Sequence, residues 1–349
     1  MLTKRAFLSA AAALCAVPHA ARAQTYPDRA IRLIVPSAAG GPTDIPARML
    51  SQILPRLGQS AFVETRPGAG GAIGARAVAT AAPDGYTLLV GNTSVLAVIP
   101  AVSASAGYDP TKSFTAVAKI AESYQILVVH PSAPWRSVQD FVDDAKAHPG
   151  KLNYAHTGAG GLPHLTAELF RARAGIEMVG VPYKSGGEAV TAVLGEQVHA
   201  TFEAISILLP MIRDGKVRAL AITSGKRTPL APDLPTMTEA GVPDYEVTTF
   251  QGVVAPTGTP EPIVALLNQT INAALATGEN RDAIARLGSV PSPASPAEFA
   301  AFIGAQVAKW TAVAKAATVK IDGVIPPAAA RPHARAPARA GAPRRSPAR

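Results

Sequence analysis

Residues 31–57 read IRLIVPSAAGGPTDIPARMLSQILPRL, and this stretch decides the fold. Its first five residues form an apolar, largely β-branched run that Pro36 stops, which predicts a short buried strand. A glycine-rich loop follows. Apolar residues then recur four positions apart from about Thr43 to Leu57, which predicts a helix that ends at Gly58. The stretch is therefore a strand–loop–helix unit, the building block of a parallel α/β sheet.

The same unit recurs along the chain. Further strands are predicted at residues 61–65, 86–90, 126–129, 152–155, 177–181, 198–202 and 218–222. Helices are predicted at 73–81, 163–174, 187–194 and 208–214, and two longer amphipathic helices at 263–274 and 299–313. This alternation predicts an α/β fold with two doubly wound lobes, whose sheets are parallel and covered on both faces. Ligands bind such sheets in a crevice outside the carboxyl ends of the strands.

The charge distribution limits the function classes. The chain has 349 residues, enough for two domains, and a formal net charge of +9. Residues 1–23 carry +3 and residues 326–349 carry +6, so residues 24–325 are neutral overall. The basic composition therefore gives no indication of a nucleic-acid groove. Because no apolar run reaches the roughly 18–20 residues that span a bilayer, the sequence argues against an integral membrane protein.

The first 23 residues have the pattern of a signal peptide. Lys4 and Arg5 precede an apolar stretch, and Ala21-Arg22-Ala23 forms a cleavage motif, so cleavage is predicted after Ala23. Both the general and the twin-arginine export routes fit this segment. The single cysteine, Cys15, lies within it. The mature chain therefore has no cysteine for a disulfide or a thiolate metal site.

The other end of the chain, residues 326–349, is a low-complexity segment of Ala, Pro and Arg that is predicted to be disordered. A passive extension, a basic arm and the product of a misread stop codon all have this composition.

Two glycine-rich loops are the candidate binding elements. Residues 37–44, SAAGGPTD, join a strand to a helix. Glycines let the backbone approach a ligand, and the free N–H groups of a helix's first turn bind anions. Thr43 or Asp44 would cap that turn. Residues 155–164, AHTGAGGLPH, repeat the pattern, so two such loops facing one cleft would clamp a carboxylate, although an ordinary capped turn has the same pattern.

Motifs of several common enzyme classes are absent from the sequence. The chain has no G-x-S-x-G elbow, no H-E-x-x-H metal motif and no phosphate-cradling Walker lysine. Residues 68–74, GAGGAIG, place the third glycine one position too late for a dinucleotide fingerprint. A secreted enzyme on a similar scaffold is therefore kept only as the alternative to a binding protein.

Several segments together resemble one family. They are YPDR at 26–29, ETRPGAGG at 64–71, APDGY at 82–86, PGKLNY at 149–154, VPYK at 181–184, LPT at 234–236, APTGTP at 255–260 and KW at 309–310. In this order they resemble the Bug family, the periplasmic substrate-binding proteins of tripartite tricarboxylate transporters. The resemblance covers about residues 26–322 and leaves the tail outside.

The resemblance implies a non-catalytic periplasmic receptor of the type II, Venus-flytrap class. Lobe 1 would contain residues 24–125 and 252–325 and lobe 2 residues 126–251, with strands crossing between them near 123–131 and 248–256. The implied partners are a small organic anion, a mono- or dicarboxylate, and the membrane subunits of a tripartite transporter, without nucleic acid, cofactor or metal. The receptor would be a monomer. A loaded receptor that signals to a sensor kinase is an open variant.

The resemblance also implies ligand contacts from both lobes. The predicted ligand-binding residues are Ser37, Ala39, Gly40, Gly41, Thr43, Asp44, Thr93, Ser94, Thr157, Gly158, His164, Lys184 and Glu203. Phe202-Glu203-Ala204 stands where the family frequently has Phe-Asp-Asn. We interpret Glu203 as a cleft residue that selects against polyanionic ligands, although a solvated carboxylate at a strand end fits equally. His156 and His164 would add positive charge at mildly acidic pH, or serve as capping or surface residues.

Overall fold

A computed structural model gives the fold and describes residues 26–317 except 41–42, 104 and 159. The predicted signal peptide, the predicted tail and Gly41 lie outside the described residues.

The strands are β1 (Ile31–Val35), β2 (Ala61–Thr65), β3 (Thr87–Asn92), β4 (Phe114–Val129), β5 (Asn153–His156), β6 (Val179–Pro182), β7 (Ala200–Ala204), β8 (Arg218–Ile222), β9 (Thr248–Pro256) and β10 (Ser289–Pro291). The helices are α1 (Asp44–Ile53), α2 (Ala72–Ala79), α3 (Ile99–Val102), α4 (Val138–Ala147), α5 (Leu162–Ala174), α6 (Gly186–Leu194), α7 (Ile205–Arg213), α8 (Glu261–Leu275), α9 (Gly278–Arg286) and α10 (Pro296–Ala316).

The local elements follow the sequence signals closely. β1, β2 and β8 have the predicted bounds. α1 continues into a 3₁₀ turn, Leu54–Leu57, and ends at Gly58, whose φ of 98° is left-handed. A glycine adopts that conformation without the steric cost that a side chain would add, which is why it stops the helix here. The predicted α/β architecture is confirmed.

The strands form two sheet halves with the same order. In the first half the order is β2-β1-β3-β9-β4, and in the second it is β6-β5-β7-β4-β8. In the first half β1, β2 and β3 are parallel, and β9 runs antiparallel between β3 and β4. In the second half β5, β6 and β7 are parallel, and β4 runs antiparallel between β7 and β8. The expectation of purely parallel sheets is therefore wrong at β9 and β10 in the first half and at β4 in the second, because these strands run opposite to the others of their half.

The two halves are joined by β4, a 16-residue strand. Tyr124 of β4 still pairs with Thr248 of β9, whereas its neighbour Gln125 pairs with Ala204 of β7. The chain returns at Val247, whose N–H donates to the carbonyl of Thr223 at 2.7 Å. Both crossings between the halves thus lie side by side.

The last helix packs against both halves. Phe299 and Ile303, near its start, belong to a buried cluster with Phe250 of β9. Trp310 and Val313, near its end, belong to the main cluster of the second half. The segment that we assigned to lobe 1 therefore also contributes to the core of the second half.

Candidate functional site

The loop after β1 is fixed by a buried carboxylate. Asp44, the first residue of α1, is only 1 % exposed, and its Oδ2 accepts hydrogen bonds from the Gly40 N–H at 2.8 Å and from Arg48 Nε at 2.7 Å. Burial alone would raise the pKa of Asp44, but these two hydrogen bonds outweigh it and lower the pKa below its ordinary value. The carboxylate is therefore ionised at neutral pH, and Arg48 compensates its charge.

The expected side-chain cap of α1 by Thr43 is not formed. The Thr43 hydroxyl instead accepts a hydrogen bond from Asn92 Nδ2 at 2.9 Å, because β3 ends directly beside it. Asn92 also accepts the Val95 N–H, so this one amide joins the first loop to the turn after β3. Sequence analysis missed Asn92, although it directly precedes the predicted pair Thr93 and Ser94.

Thr93 and Ser94 occupy different environments. Thr93 is buried, and its hydroxyl oxygen accepts the Phe250 N–H of β9 at 2.8 Å, so it ties β3 to a crossing strand. Ser94 is half-buried and begins the π turn Ser94–Val98. In the first loop, Ser37 Oγ is buried without a hydrogen-bond partner, and Ala39 is exposed.

The second glycine-rich loop rests on a histidine pair. The ring of His156 lies 4.5 Å from that of His164 between centroids, and His164 Nδ1 accepts the Gly160 N–H at 3.1 Å. Thr157 and Gly158 are half-buried in this loop. Burial lowers the pKa of both histidines, which makes them neutral at pH 7. The surface role considered for them is wrong, because His156 is only 5 % exposed and the His164 side chain only 14 %.

The histidine pair is backed by an ion pair. Glu168 lies 3.9 Å from His164 Nε2, accepts the Tyr154 hydroxyl at 2.7 Å and pairs with Arg171 at 2.7 Å. This network fixes the position of His164 and, through its contact with Gly160, the shape of the loop.

A cavity of about 340 Å³ opens between the two halves. Its walls come from the first loop and α1, from both crossing strands, from the β7–α7 junction and from the α9–β10 junction. The lining residues are Gly40, Ile45, Pro46, Ala121, Ser123, Ala204, Ser206, Thr249, Gln251, Ile284, Arg286, Leu287 and Ser289. Of the predicted site residues in the described part, Gly40 lines this cavity. The others lie outside its lining, namely Ser37, Ala39, Thr43, Asp44, Thr93, Ser94, Thr157, Gly158, His164, Lys184 and Glu203.

Arg286 is a cavity residue that sequence analysis missed. It is the last residue of α9, it is exposed, and within the described ranges it forms no ion pair. Gln251 also faces the cavity from β9, and its Oε1 is buried without a hydrogen-bond partner. A guanidinium and an unpaired amide in one small cavity suit a ligand that carries a carboxylate and a further polar group.

Glu203 is buried at the end of β7, only 5 % exposed. Its Oε2 accepts the N–H of Ala204 at 3.2 Å, and its Oε1 has no hydrogen-bond partner among the residues that the structure describes. A Cβ on Gly186, the first residue of α6, would come within 2.6 Å of Oε2. Burial raises the pKa of Glu203. The alternative of a solvated strand-end carboxylate is therefore wrong.

The fold and the cavity define a two-lobed solute-binding protein, with matching α/β halves around a cleft and crossing strands at its base. A family model described as "Tripartite tricarboxylate transporter family receptor" matches residues 47–319. The chain belongs to this family, in agreement with the resemblance seen in its sequence.

Individual relatives match over nearly their whole length. BugT of Bordetella pertussis is 38% identical over 301 residues, which cover 86% of this chain and 92% of BugT. A structure of an R. palustris protein with adipate is 36% identical, with a TM-score of 0.70, over 84% of this chain and 99% of that one. MatC from Rhodopseudomonas palustris with bound malate is 36% identical, with a TM-score of 0.67, over 82% and 99%.

Proposed function

We propose that the protein captures a small organic carboxylate in the cleft and delivers it to the membrane subunits of a tripartite transporter. The observation that carries this proposal is the cavity of about 340 Å³, which residues of both halves line. One of them is Arg286, which forms no ion pair with any residue that the structure describes. This volume lies at the small end of the range for ligand pockets. The adipate and malate in the two solved relatives support a carboxylate as the ligand.

Ligand capture would proceed by closure of the two lobes about the crossing strands. A ligand that contacts Gly40 on one side and Ala204 on the other favours the closed state, since only that state offers both sets of contacts. The proposed lobes are residues 24–125 with 252–325, and residues 126–251.

We further propose a monomeric, non-catalytic protein of the periplasm whose signal peptide is cleaved after Ala23. In the described residues, no helix is long and apolar enough to cross a membrane. The same residues contain no group of three or more His, Cys, Asp or Glu side chains that could hold a metal ion. Mass spectrometry of the chain from a periplasmic extract tests the cleavage, since the mature protein would begin at Gln24.

Thermal unfolding of the mature protein with a panel of small carboxylates tests the function. A ligand at 100 times its Kd adds about 2.7 kcal/mol to the free energy of unfolding. At roughly 2–4 °C per kcal/mol, Tm should then rise by several degrees. A panel member that raises Tm and is recovered unchanged supports a receptor. Turnover of a panel member, or no shift with any acid, contradicts the proposal.

The variant Arg286→Gln should weaken carboxylate binding about tenfold, equivalent to about 1.4 kcal/mol, because it removes a charged hydrogen-bond donor from the cavity. Isothermal titration calorimetry of the ligand found in the panel measures the change. Arg281→Gln is the matched control, since it removes the same charge from the same helix at an exposed position outside the cavity lining. Equal losses in both variants would show that Arg286 acts only through the net charge of the protein.

A further inference from the structure

The second-half wall of the cavity is built from the start of α7. Ala204 is the residue that caps this helix, Ser206 lies in its first turn, and both line the cavity. The N-terminus of a helix carries a partial positive charge and free N–H groups, so this wall would ordinarily attract the negative end of a ligand.

Glu203 places a carboxyl group against this wall from inside the protein. Its Oε2 accepts the Ala204 N–H at the start of α7, and the same oxygen lies against Gly186 at the start of α6. The side chain therefore occupies the place where the N-termini of two helices converge. Its second oxygen is buried and has no hydrogen-bond partner.

No cation compensates Glu203 in the part of the chain that the structure describes. Its single hydrogen bond comes from a backbone N–H, and Lys184, in the loop before α6, is exposed and forms no ion pair with it. Asp44 provides the contrast. It holds a similar place at the start of α1, but Arg48 pairs with it at 2.7 Å. The two walls of the cleft thus differ: the first half offers Arg286, and the second half has an uncompensated acid behind its surface.

We propose that Glu203 is a specificity-determining residue, which fills the anion-binding position of the second half and restricts the ligand to monocarboxylates. This inference rests on the proposed function and narrows its substrate class. The single carboxylate of the ligand is held on the first-half side, near Arg286 and Gly40. The opposite end of the ligand meets Ala204 and Ser206, where Glu203 already occupies the positive end of α7. In its ionised form Glu203 repels a second carboxylate there, whereas a hydroxyl or amide group is accepted.

Two pairs of acids that differ by one carboxylate test this inference on the mature protein. Malate is paired with 3-hydroxybutyrate, and adipate with hexanoate, and the Kd of each is measured by calorimetry. The wild type should bind the monocarboxylate of at least one pair tenfold or more tightly than its dicarboxylate partner. In Glu203→Gln, the affinity for the dicarboxylate should rise at least tenfold, while that for the monocarboxylate changes less than twofold.

Glu188→Gln is the matched control. Glu188 lies in the first turn of the same helix α6, but it is exposed, so water screens its charge and the ratio of the two affinities should stay as in the wild type. Glu203→Met, an apolar replacement of similar length, provides a second variant if the glutamine variant does not fold.

The outcomes separate the inference from the proposed function. A wild type that binds neither monocarboxylate more tightly than its dicarboxylate partner, or a Glu203→Gln variant with an unchanged ratio, overturns the inference and leaves carboxylate capture standing. A protein that binds none of these acids, nor any other carboxylate of the panel, contradicts both.

Discussion

Replacing Trp310 with alanine should lower the free energy of unfolding by about 3–5 kcal/mol, the range for truncating a buried Trp or Phe side chain. The Trp310 ring is fully buried in the cluster of the second half, whereas its helix α10 begins in the cluster of the first half. The substitution removes the largest fully buried side chain of that cluster and leaves a cavity that its neighbours close only in part. Urea unfolding followed by circular dichroism measures the change.

Trp310→Phe is the matched control. It keeps an aromatic ring and removes an indole Nε1 that has no hydrogen-bond partner, so no acceptor is left unpaired by the change. Its cost should be less than half that of the alanine variant. If the two variants cost the same, or if alanine costs under about 1 kcal/mol, the ring does not have the packing role assigned to it.

The local elements of the fold could be predicted because their signals are short-range. Pro36 stops β1 and Gly58 stops the helical segment that starts with α1, and neither signal depends on distant residues. The extent of β4 could not be predicted in this way. Only its last four residues form an unbroken apolar run of the expected kind, while its earlier part gains its pairing from β9, far along the chain. The antiparallel strands, β9 and β10 in the first half and β4 in the second, depend on non-local pairing in the same way.

The candidate site was predictable in its loops and not in its charges. The glycine-rich loops carry a backbone pattern that the sequence displays directly. Arg286, in contrast, reads as a basic residue in the last turn of a helix, which is a common surface arrangement. It reaches the cleft because β10, which follows α9, pairs with β4 at Ala121–Ser123. The missing cap at Thr43 has the same origin, since Asn92 from another strand takes its hydroxyl.

Replacing Thr223 with valine should lower the free energy of unfolding by about 2–4 kcal/mol, because two buried backbone groups lose a partner. Thr223 is fully buried between the two segments by which the chain passes from one half to the other. Its hydroxyl oxygen accepts the Gln125 N–H at 3.0 Å and its hydroxyl donates to the Val247 carbonyl at 2.8 Å, while its own backbone N–H and carbonyl bond the same two residues. Valine has the same shape and lacks the hydroxyl.

The variant Thr223→Ser tests whether the stability lost in the valine variant is lost because the hydroxyl is missing. Serine keeps both hydrogen bonds and loses one methyl group, so its cost should be about 1 kcal/mol. Urea unfolding of both variants at neutral pH gives the comparison. A valine variant as stable as the serine variant would mean that the backbone hydrogen bonds of Thr223 alone hold the crossings together. A larger loss for valine would show that this hydroxyl adds to the backbone hydrogen bonds in joining β4 to the segment that leads into β9.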